Sequence, residues 1–119
     1  MRRLVLAFLA SACLAFPAAA QQVGGNYTVE GKNFDGSPYT GTATISFQND
    51  VSCTIEWVSG SNTSTGICMK NGNMFAAAYE QQGVFGILSY QILENGVLDG
   101  AWTVAGQEGF GVEMLTPAQ

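Results

Sequence analysis

The sequence contains few side chains that could carry out chemistry. Beyond residue 20 it has no histidine and no arginine. A Ser-His-Asp or Cys-His triad and any histidine-ligated metal site are therefore excluded from that part of the chain. Its two cysteines there do not make the usual four-ligand zinc site without a histidine. Paired carboxylates are the remaining route to catalysis, and most acidic residues fall near turns or at solvent-facing positions. We predict that the protein is not an enzyme and holds no metal or organic cofactor.

Asp99 is the acidic residue with the best claim to a functional role. It lies in the middle of a strand-like run, VLDGAW, beside Gly100 and close to Trp102. A carboxylate at this place could contact a ligand at the rim of a barrel. The alternative is that Asp99 points outward and balances Lys70 or a neighbouring threonine. We keep Asp99 as a candidate binding residue and leave both interpretations open.

Aromatic residues give the better binding hypothesis, because tyrosine and tryptophan combine an apolar body with a polar tip. Strand alternation places several of them on the inward face of the predicted sheet. The alternative is that these rings only fill the interior, since an eight-stranded barrel is just wide enough for its own side chains or one small ligand. With Asp99, the candidate ligand-binding residues are Tyr39, Trp57, Tyr90 and Trp102.

The stretch NFDGSPY could hold a cation, because Asn33, Asp35 and Ser37 resemble the first half of a calcium loop. However, Pro38 stands where that loop has glycine, and Thr44 stands where it has glutamate. Only one of the three candidate ligands is a carboxylate. We therefore interpret the stretch as a hairpin loop and predict no metal site.

Turn signals recur about every 11 to 13 residues, a spacing typical of β-sandwiches and β-barrels. The runs between them are rich in threonine, valine, isoleucine and aromatics, and none shows helical periodicity. We predict an all-β fold, an eight-stranded antiparallel up-and-down meander that closes into a small β-barrel, because closure removes exposed edges. A two-sheet sandwich is the alternative. The predicted strands are residues 26–33, 39–48, 51–58, 63–70, 73–80, 84–93, 97–104 and 109–115.

Hairpin geometry predicts one disulfide. Facing residues in an antiparallel pair have numbers with a constant sum, and a two-residue turn at Gly60-Ser61 sets this sum to 121. Cys53 then faces Cys68, so the turn and the cysteine pair agree on one register. A disulfide closing a loop of this length contributes roughly 3 kcal/mol in the chain-entropy model.

Three further register expectations follow from the same reasoning. A turn at Asn71-Gly72 would place Cys68 opposite Phe75. A three- or five-residue first loop centred on Gly36 would place Gly41 opposite Gly31, give Gly36 a positive φ and return Tyr39 to the interior. In the last strand the inward residues would be Phe110, Val112 and Met114.

The N-terminus has the pattern of a secretory signal peptide over residues 1–20. Arg2 and Arg3 precede an apolar run that is too short to span a membrane, and small residues end at Ala20. Cleavage there would leave residues 21–119 as a single β-barrel domain without a transmembrane segment, in the periplasm or secreted. Cys13 could take a lipid anchor, which the apolar residues that follow it disfavour.

Residues 21–119 are strongly acidic. Two lysines stand against nine acidic residues in this part, which gives a net charge of −7. Such a chain repels phosphate backbones and anionic membrane surfaces, so nucleic acid is excluded as an expected partner.

The runs YTVEGKNFDGSPYTGT and NGVLDGAWT, with the closing GVEMLTP, resemble a group of small exported bacterial proteins of largely uncharacterised function. That group has Y-x-V-x-G-x-N-x-D-G-S-x-Y near the start and G-x-L-x-G-x-W near the end. The resemblance implies export and one compact domain, and it carries over no catalytic residues.

Three functions are compatible with these features. The first is an exported binding or interaction protein that uses the barrel mouth or its loops for a small molecule or a protein partner. The second is a small periplasmic inhibitor or accessory protein of an enzyme. The third is an enzyme that works with carboxylates alone.

Overall fold

The computed structural model describes residues 23–118, and the predicted signal peptide and Cys13 lie outside them. Within this range the chain is all-β, with turns and loops between the strands, and no helix is long and apolar enough to cross a membrane. The strands are β1 (Gly25–Lys32), β2 (Pro38–Phe47), β3 (Ser52–Ser59), β4 (Asn62–Asn71), β5 (Met74–Gln81), β6 (Val84–Ile92), β7 (Leu98–Val104) and β8 (Gly111–Pro117).

The eight strands form a closed antiparallel barrel. Each strand pairs with its neighbours in sequence, and β1 pairs with β8 to close the sheet. The predicted up-and-down barrel is therefore confirmed, and the sandwich alternative is wrong. Closure removes exposed strand edges, because every strand pairs with a neighbour on both sides.

The hairpin of β3 and β4 has the predicted register. Cys53 pairs with Cys68 and Ile55 with Gly66, and the disulfide joins Cys53 to Cys68. A two-residue turn follows Ser59, as the sequence predicts. The alternation of inward apolar and outward polar residues along β3 accounts for this agreement, because a slip by one residue would turn every side chain to the other face.

Two predicted registers are wrong by two residues. Cys68 pairs with Ala77, not Phe75, because the turn of β4 and β5 lies at residues 72–73. Gly31 pairs with Tyr39, not Gly41, so the first loop spans residues 33–37. A shift of two residues preserves the face, and the inward side chains of these strands are those expected.

The first loop is nevertheless five residues long, within the predicted range. Gly36 has a φ of 84°, as predicted, which a side chain would disfavour. The Asp35 carboxylate accepts hydrogen bonds from the backbone N–H and the hydroxyl of Ser37, and Asn33 Nδ2 donates to Ser37. The polar side chains that resemble cation ligands therefore bind within the loop.

The last strand faces the opposite way from the prediction. β7 and β8 are joined by six residues, 105–110. The inward Trp102 pairs with Gly111, so the inward residues of β8 are Gly111, Glu113 and Leu115. Phe110 is 65% exposed on the outside. The expectation that Phe110, Val112 and Met114 face the interior is wrong.

The barrel is filled at one end and hollow at the other. The filled end lies toward the loops after β2, β4 and β6, where Leu98, Leu115 and Phe75 are fully buried. Tyr27 closes this end by donating its hydroxyl proton to the Val23 carbonyl. The other end, which carries the loops after β1, β3, β5 and β7, contains the larger aromatic residues.

Three of those rings lie flat on glycines of the neighbouring strand. Tyr79 faces Gly86 directly, and a Cβ added to Gly86 would lie 2.2 Å from the Tyr79 ring. Tyr39 covers Gly31 in the same way, and Trp102 covers Gly111, each at 2.2 Å. Such aromatic–glycine pairs across strands allow large rings to lie along the wall of a narrow barrel.

Candidate functional site

A cavity of ≈ 260 Å³ lies inside the hollow end of the barrel. Its most buried walls are Leu88, Glu113 and Trp57. Half-buried aromatic rings and polar side chains of the strand ends complete it. The lining residues are Asn33, Tyr39, Trp57, Ser59, Asn62, Ser64, Tyr79, Gln81, Leu88, Trp102 and Glu113.

The aromatic walls form two edge-to-face pairs. The rings of Trp57 and Tyr79 have centroids 5.4 Å apart, and those of Tyr39 and Trp102 are 6.2 Å apart. Phe34, from the first loop, stacks on Trp102 with centroids 5.0 Å apart. The glycines beneath Tyr39, Tyr79 and Trp102 keep these rings close to the barrel wall and leave space between them.

Glu113 is the polar centre of the cavity. Glu113 pairs with Gly31 on β1 and with Gly100 on β7. One strand further in each direction, Tyr39 pairs with Gly31 and Tyr90 pairs with Gly100. Both tyrosines reach across the side-chain-free glycines to the carboxylate. Tyr39 donates to Oε1 over 2.9 Å, and Tyr90 donates to Oε2.

Glu113 has no cationic partner among residues 23–118. It is 7% exposed, and its neighbours are the two tyrosine hydroxyls and the indole of Trp57. Burial raises the pKa of Glu113, and the hydrogen bonds from Tyr90, Tyr39 and Trp57 lower it by less. A carboxylate out of water with donors but no counter-charge makes this part of the interior electronegative.

The tyrosines around Glu113 stay protonated. Burial, followed by the charge of Glu113, raises the pKa of Tyr79 to about 12. The same two causes raise the pKa values of Tyr39 and Tyr90. These hydroxyls therefore act as hydrogen-bond donors across the physiological range of pH.

Most donors near the cavity are already used within the protein. Trp57 Nε1 donates to the Tyr90 hydroxyl over 3.4 Å, and the Tyr79 hydroxyl donates to the Thr103 carbonyl over 3.3 Å. Within the described residues, Trp102 Nε1 is the buried side-chain nitrogen without an acceptor. It lies against Gly111, where an added Cβ would be 2.6 Å away.

The structure brings together most of the residues predicted from the sequence. Tyr39, Trp57 and Trp102 line the cavity, and Tyr90 lies fully buried behind Glu113. Asp99 does not belong to this group. It follows the inward Leu98 and so lies on the outer face, where it is exposed and opposite Met114.

Sequence reasoning missed Glu113 and undervalued Tyr79. The prediction that Val112 and Met114 face inward puts Glu113 on the outside by alternation, and the structure reverses that face. The inward glycines Gly31 and Gly100 were a usable signal, because a row of glycines leaves space that a polar side chain can occupy. Among the residues that line the cavity Glu113 is the only acid, so the paired carboxylates that the third hypothesis needs are not found there.

A wider vestibule of ≈ 680 Å³ continues outward from the cavity. The two share Asn62, Tyr79 and Trp102, and the vestibule adds Phe34 and Gln107 from the loops. A separate hollow of ≈ 740 Å³ lies against the strands around Thr44, Thr54 and Phe85. Thr44, Thr54 and Phe85 are exposed on the outer wall, so that hollow is not continuous with the barrel interior.

No protein-family profile and no curated protein matches the sequence. Solved barrels share the fold. A redesigned β-barrel superimposes with a TM-score of 0.69 at 12% identity, covering 82% of this chain and 92% of that chain. A second redesigned barrel, mFAP1, bound to DFHBI, superimposes with a TM-score of 0.69 at 15% identity, covering 84% of this chain and 99% of that chain. A mutant of the fluorescent protein UnaG superimposes with a TM-score of 0.53 at 13% identity, covering 81% of this chain and 96% of that chain. The protein is thus similar in fold to small barrels, one of them solved with a small molecule bound.

Proposed function

We propose that this protein is an exported, non-enzymatic binding protein that holds a small molecule in the cavity at the hollow end of its barrel. The observation that best supports this proposal is the cavity itself, in which aromatic walls surround one buried polar side chain, Glu113. Apolar walls with a few convergent polar groups are the usual composition of small-molecule sites. The compound bound to mFAP1, a barrel of the same fold, supports this proposal.

The size of the cavity limits the ligand. At ≈ 260 Å³ it is smaller than the roughly 300–1,000 Å³ of sites for drug-sized molecules. The cavity therefore accepts a compound of about one aromatic ring, or one end of a longer molecule. The remainder of a longer ligand would extend into the vestibule past Phe34 and Gln107.

Export is part of the proposal. The disulfide between Cys53 and Cys68 fits an oxidising compartment, and the N-terminal pattern is that of a signal peptide. We place the protein in the periplasm or outside the cell. Fractionation of the native host with an antibody to the barrel domain tests this placement, and recovery in the cytoplasm would contradict it.

Tryptophan fluorescence tests the binding proposal directly. The chain has two tryptophans, and both line the cavity, so occupancy should change the intrinsic emission. We would titrate the protein with small aromatic compounds of each charge and record thermal shifts in parallel. Protein from the native host, analysed by native mass spectrometry, would reveal a retained ligand.

A matched pair of variants locates the site. Ser64 lines the cavity, whereas Thr65, the next residue of β4, is exposed on the outer wall. Ser64→Phe should block binding, and Thr65→Phe should leave it unchanged. Equal binding by both variants, or no response to any compound and no retained ligand, would contradict the proposal.

A protein partner is the second candidate, because the outer wall carries an exposed apolar patch. Ile67 and Ile87 both pair with Ala78, and they are 69% and 62% exposed. Phe85, close by on β6, is 65% exposed. Apolar side chains grouped in this way are typical of interaction surfaces. Affinity capture from the native periplasm or medium tests this candidate, with Ile87→Lys as the variant that should lose the partner.

A further inference from the structure

The cavity contains a negative charge that no positive side chain in residues 23–118 balances. Lys32 lies exposed on β1, and Lys70 lies on β4 toward the filled end, where it pairs with Phe75. The contacts of Glu113 are hydroxyl and indole donors. Donors satisfy the lone pairs of a carboxylate but supply no opposite charge.

Two tyrosine oxygens and the aromatic rings that face the cavity also favour a ligand with positive charge. The hydroxyl protons of Tyr39 and Tyr79 point to Glu113 and to the Thr103 carbonyl, so their oxygens offer lone pairs to the cavity. Aromatic rings attract cations through their π systems, and the rings of Trp57 and Tyr79 line the cavity beside Glu113. Asn62, Ser64 and Gln81, which line the cavity as well, can donate or accept and favour neither sign of charge. The carboxylate of Glu113 is therefore the group that sets the charge of the ligand space.

We infer that the ligand is a small organic cation, with its charged nitrogen directed at Glu113 and its apolar body between the rings of Trp57, Tyr79 and Trp102. This inference rests on the proposed function and names its ligand class. An anionic compound is excluded by the carboxylate. A neutral compound of the same shape would gain the stacking contacts but would leave the charge of Glu113 unbalanced.

The surface charge supports capture of such a ligand. Residues 21–119 have a net charge of −7, which raises the local concentration of cations and speeds their association. The same field acts on any cation, so the test must separate it from direct contact with Glu113. A variant that removes one acid from the outer wall provides this control.

Three compounds of one shape but different charge test the inference: 2-phenylethylammonium, 2-phenylethanol and phenylacetate. Their dissociation constants would be measured by tryptophan fluorescence and by calorimetry at pH 7. The variants are Glu113→Gln, which keeps the shape and removes the charge, and Glu30→Gln, which removes an exposed charge from the outside of β1. Near-ultraviolet circular dichroism and thermal melting would show that both variants keep the native fold.

We expect the cation to bind at least about tenfold more tightly than the alcohol, and phenylacetate to bind most weakly. Glu113→Gln should weaken cation binding by about tenfold or more and change alcohol binding by less than about twofold. Glu30→Gln should change neither by more than about twofold. The alcohol binding as tightly as the cation, or Glu113→Gln keeping the preference for the cation, would overturn the inference and leave the cavity proposal standing. Failure of all three compounds to bind would also overturn the inference, whereas the cavity proposal is decided separately by the Ser64→Phe and Thr65→Phe pair and by the search for a retained ligand.

Discussion

Replacing Glu113 with glutamine should make the protein more stable at neutral pH. Tyr39 and Tyr90 donate to this carboxyl group, yet burial still raises its pKa overall. The folded state therefore favours the neutral form of Glu113 more than water does. Glutamine has nearly the same shape, carries no charge and can still accept one hydrogen bond and donate another to the two tyrosines. The variant keeps the packing and removes the cost of the buried charge.

The sign of the pH dependence follows from the raised pKa. Between the ordinary value of 4.5 and the raised folded value, the folded state binds more protons than the unfolded state. The stability contributed by Glu113 is thus fully present below pH 4.5 and is lost as the pH rises through the folded pKa. One pKa unit corresponds to about 1.4 kcal/mol. We therefore expect Glu113→Gln to have a higher unfolding free energy than the native protein at pH 7, and each 1 kcal/mol gained would raise Tm by about 4–8 °C for a domain of this size.

Urea denaturation between pH 4 and 7.5, followed by the fluorescence of the two tryptophans, measures this effect. The difference in unfolding free energy between the variant and the native protein should be near zero at pH 4 and should grow as the pH rises to 7. The hydrogen bonds from Ser37 lower the pKa of Asp35, so Asp35 makes both proteins more stable as the pH rises. This contribution is the same in the variant and in the native protein, and it cancels in the difference. The tyrosines around Glu113 titrate above this range. A variant that is less stable than the native protein by the same amount at every pH would refute the reasoning.

Removal of one donor checks that the charge is responsible. Tyr39→Phe leaves Oε1 of the buried carboxylate without its hydroxyl partner, which should cost about 1–3 kcal/mol. In the Glu113→Gln background the same change should cost less, because a neutral amide needs the donor less. A double-mutant cycle would then give a coupling energy of about 0.5 kcal/mol or more. Additive effects of the two substitutions would show that Tyr39 acts only through packing.

Two further predictions concern the wall of the barrel. Gly86→Ala places a methyl group 2.2 Å from the Tyr79 ring, so it should destabilise the protein by about 1–3 kcal/mol in urea denaturation. The control is Gly24→Ala, whose methyl group would have its nearest neighbour 3.4 Å away and should be close to neutral. Similar losses in both variants would contradict the steric argument. Replacing Cys53 and Cys68 together by serine should cost about 3 kcal/mol, and the intact native chain should gain 2 Da on reduction of this pair; an unchanged mass would show that the disulfide had not formed.

The architecture was predictable because most of its determinants are local. The alternation in β3 gives its inward face, and a two-residue turn after Ser59 sets the partner of Cys53 without any knowledge of the remaining strands. The turn and the cysteine pair are separate signals in the sequence, and both require the same register of β3 and β4. Errors of two residues at the first loop and at the turn after Asn71 left every side chain on its predicted face, so they did not affect the predicted interior.

The last strand could not be predicted from its own residues. In β8 the outward set, Val112 and Met114 with Phe110 before them, is more apolar than the inward set, in which Leu115 is joined by Gly111 and Glu113. A rule that buries apolar residues therefore selects the wrong face. The true face is determined by a contact across strands, since Trp102 lies on Gly111 and leaves no space for a side chain there. That contact depends on the six-residue loop, whose length the turn residues do not specify.

The row that contains Glu113 is where the protein departs most from a core built only for stability. A leucine at this position, with larger residues in place of Gly31 and Gly100, would bury more apolar surface and no charge. Instead two glycines flank the carboxylate, and two tyrosines cross them to reach it. Both features weaken the folded state, because glycine disfavours strands and a buried charge without a counter-ion is costly. Local departures of this kind concentrate at functional sites. A bound cation would balance the charge, so relief of this unfavourable burial at Glu113 would contribute to the binding energy of the ligand.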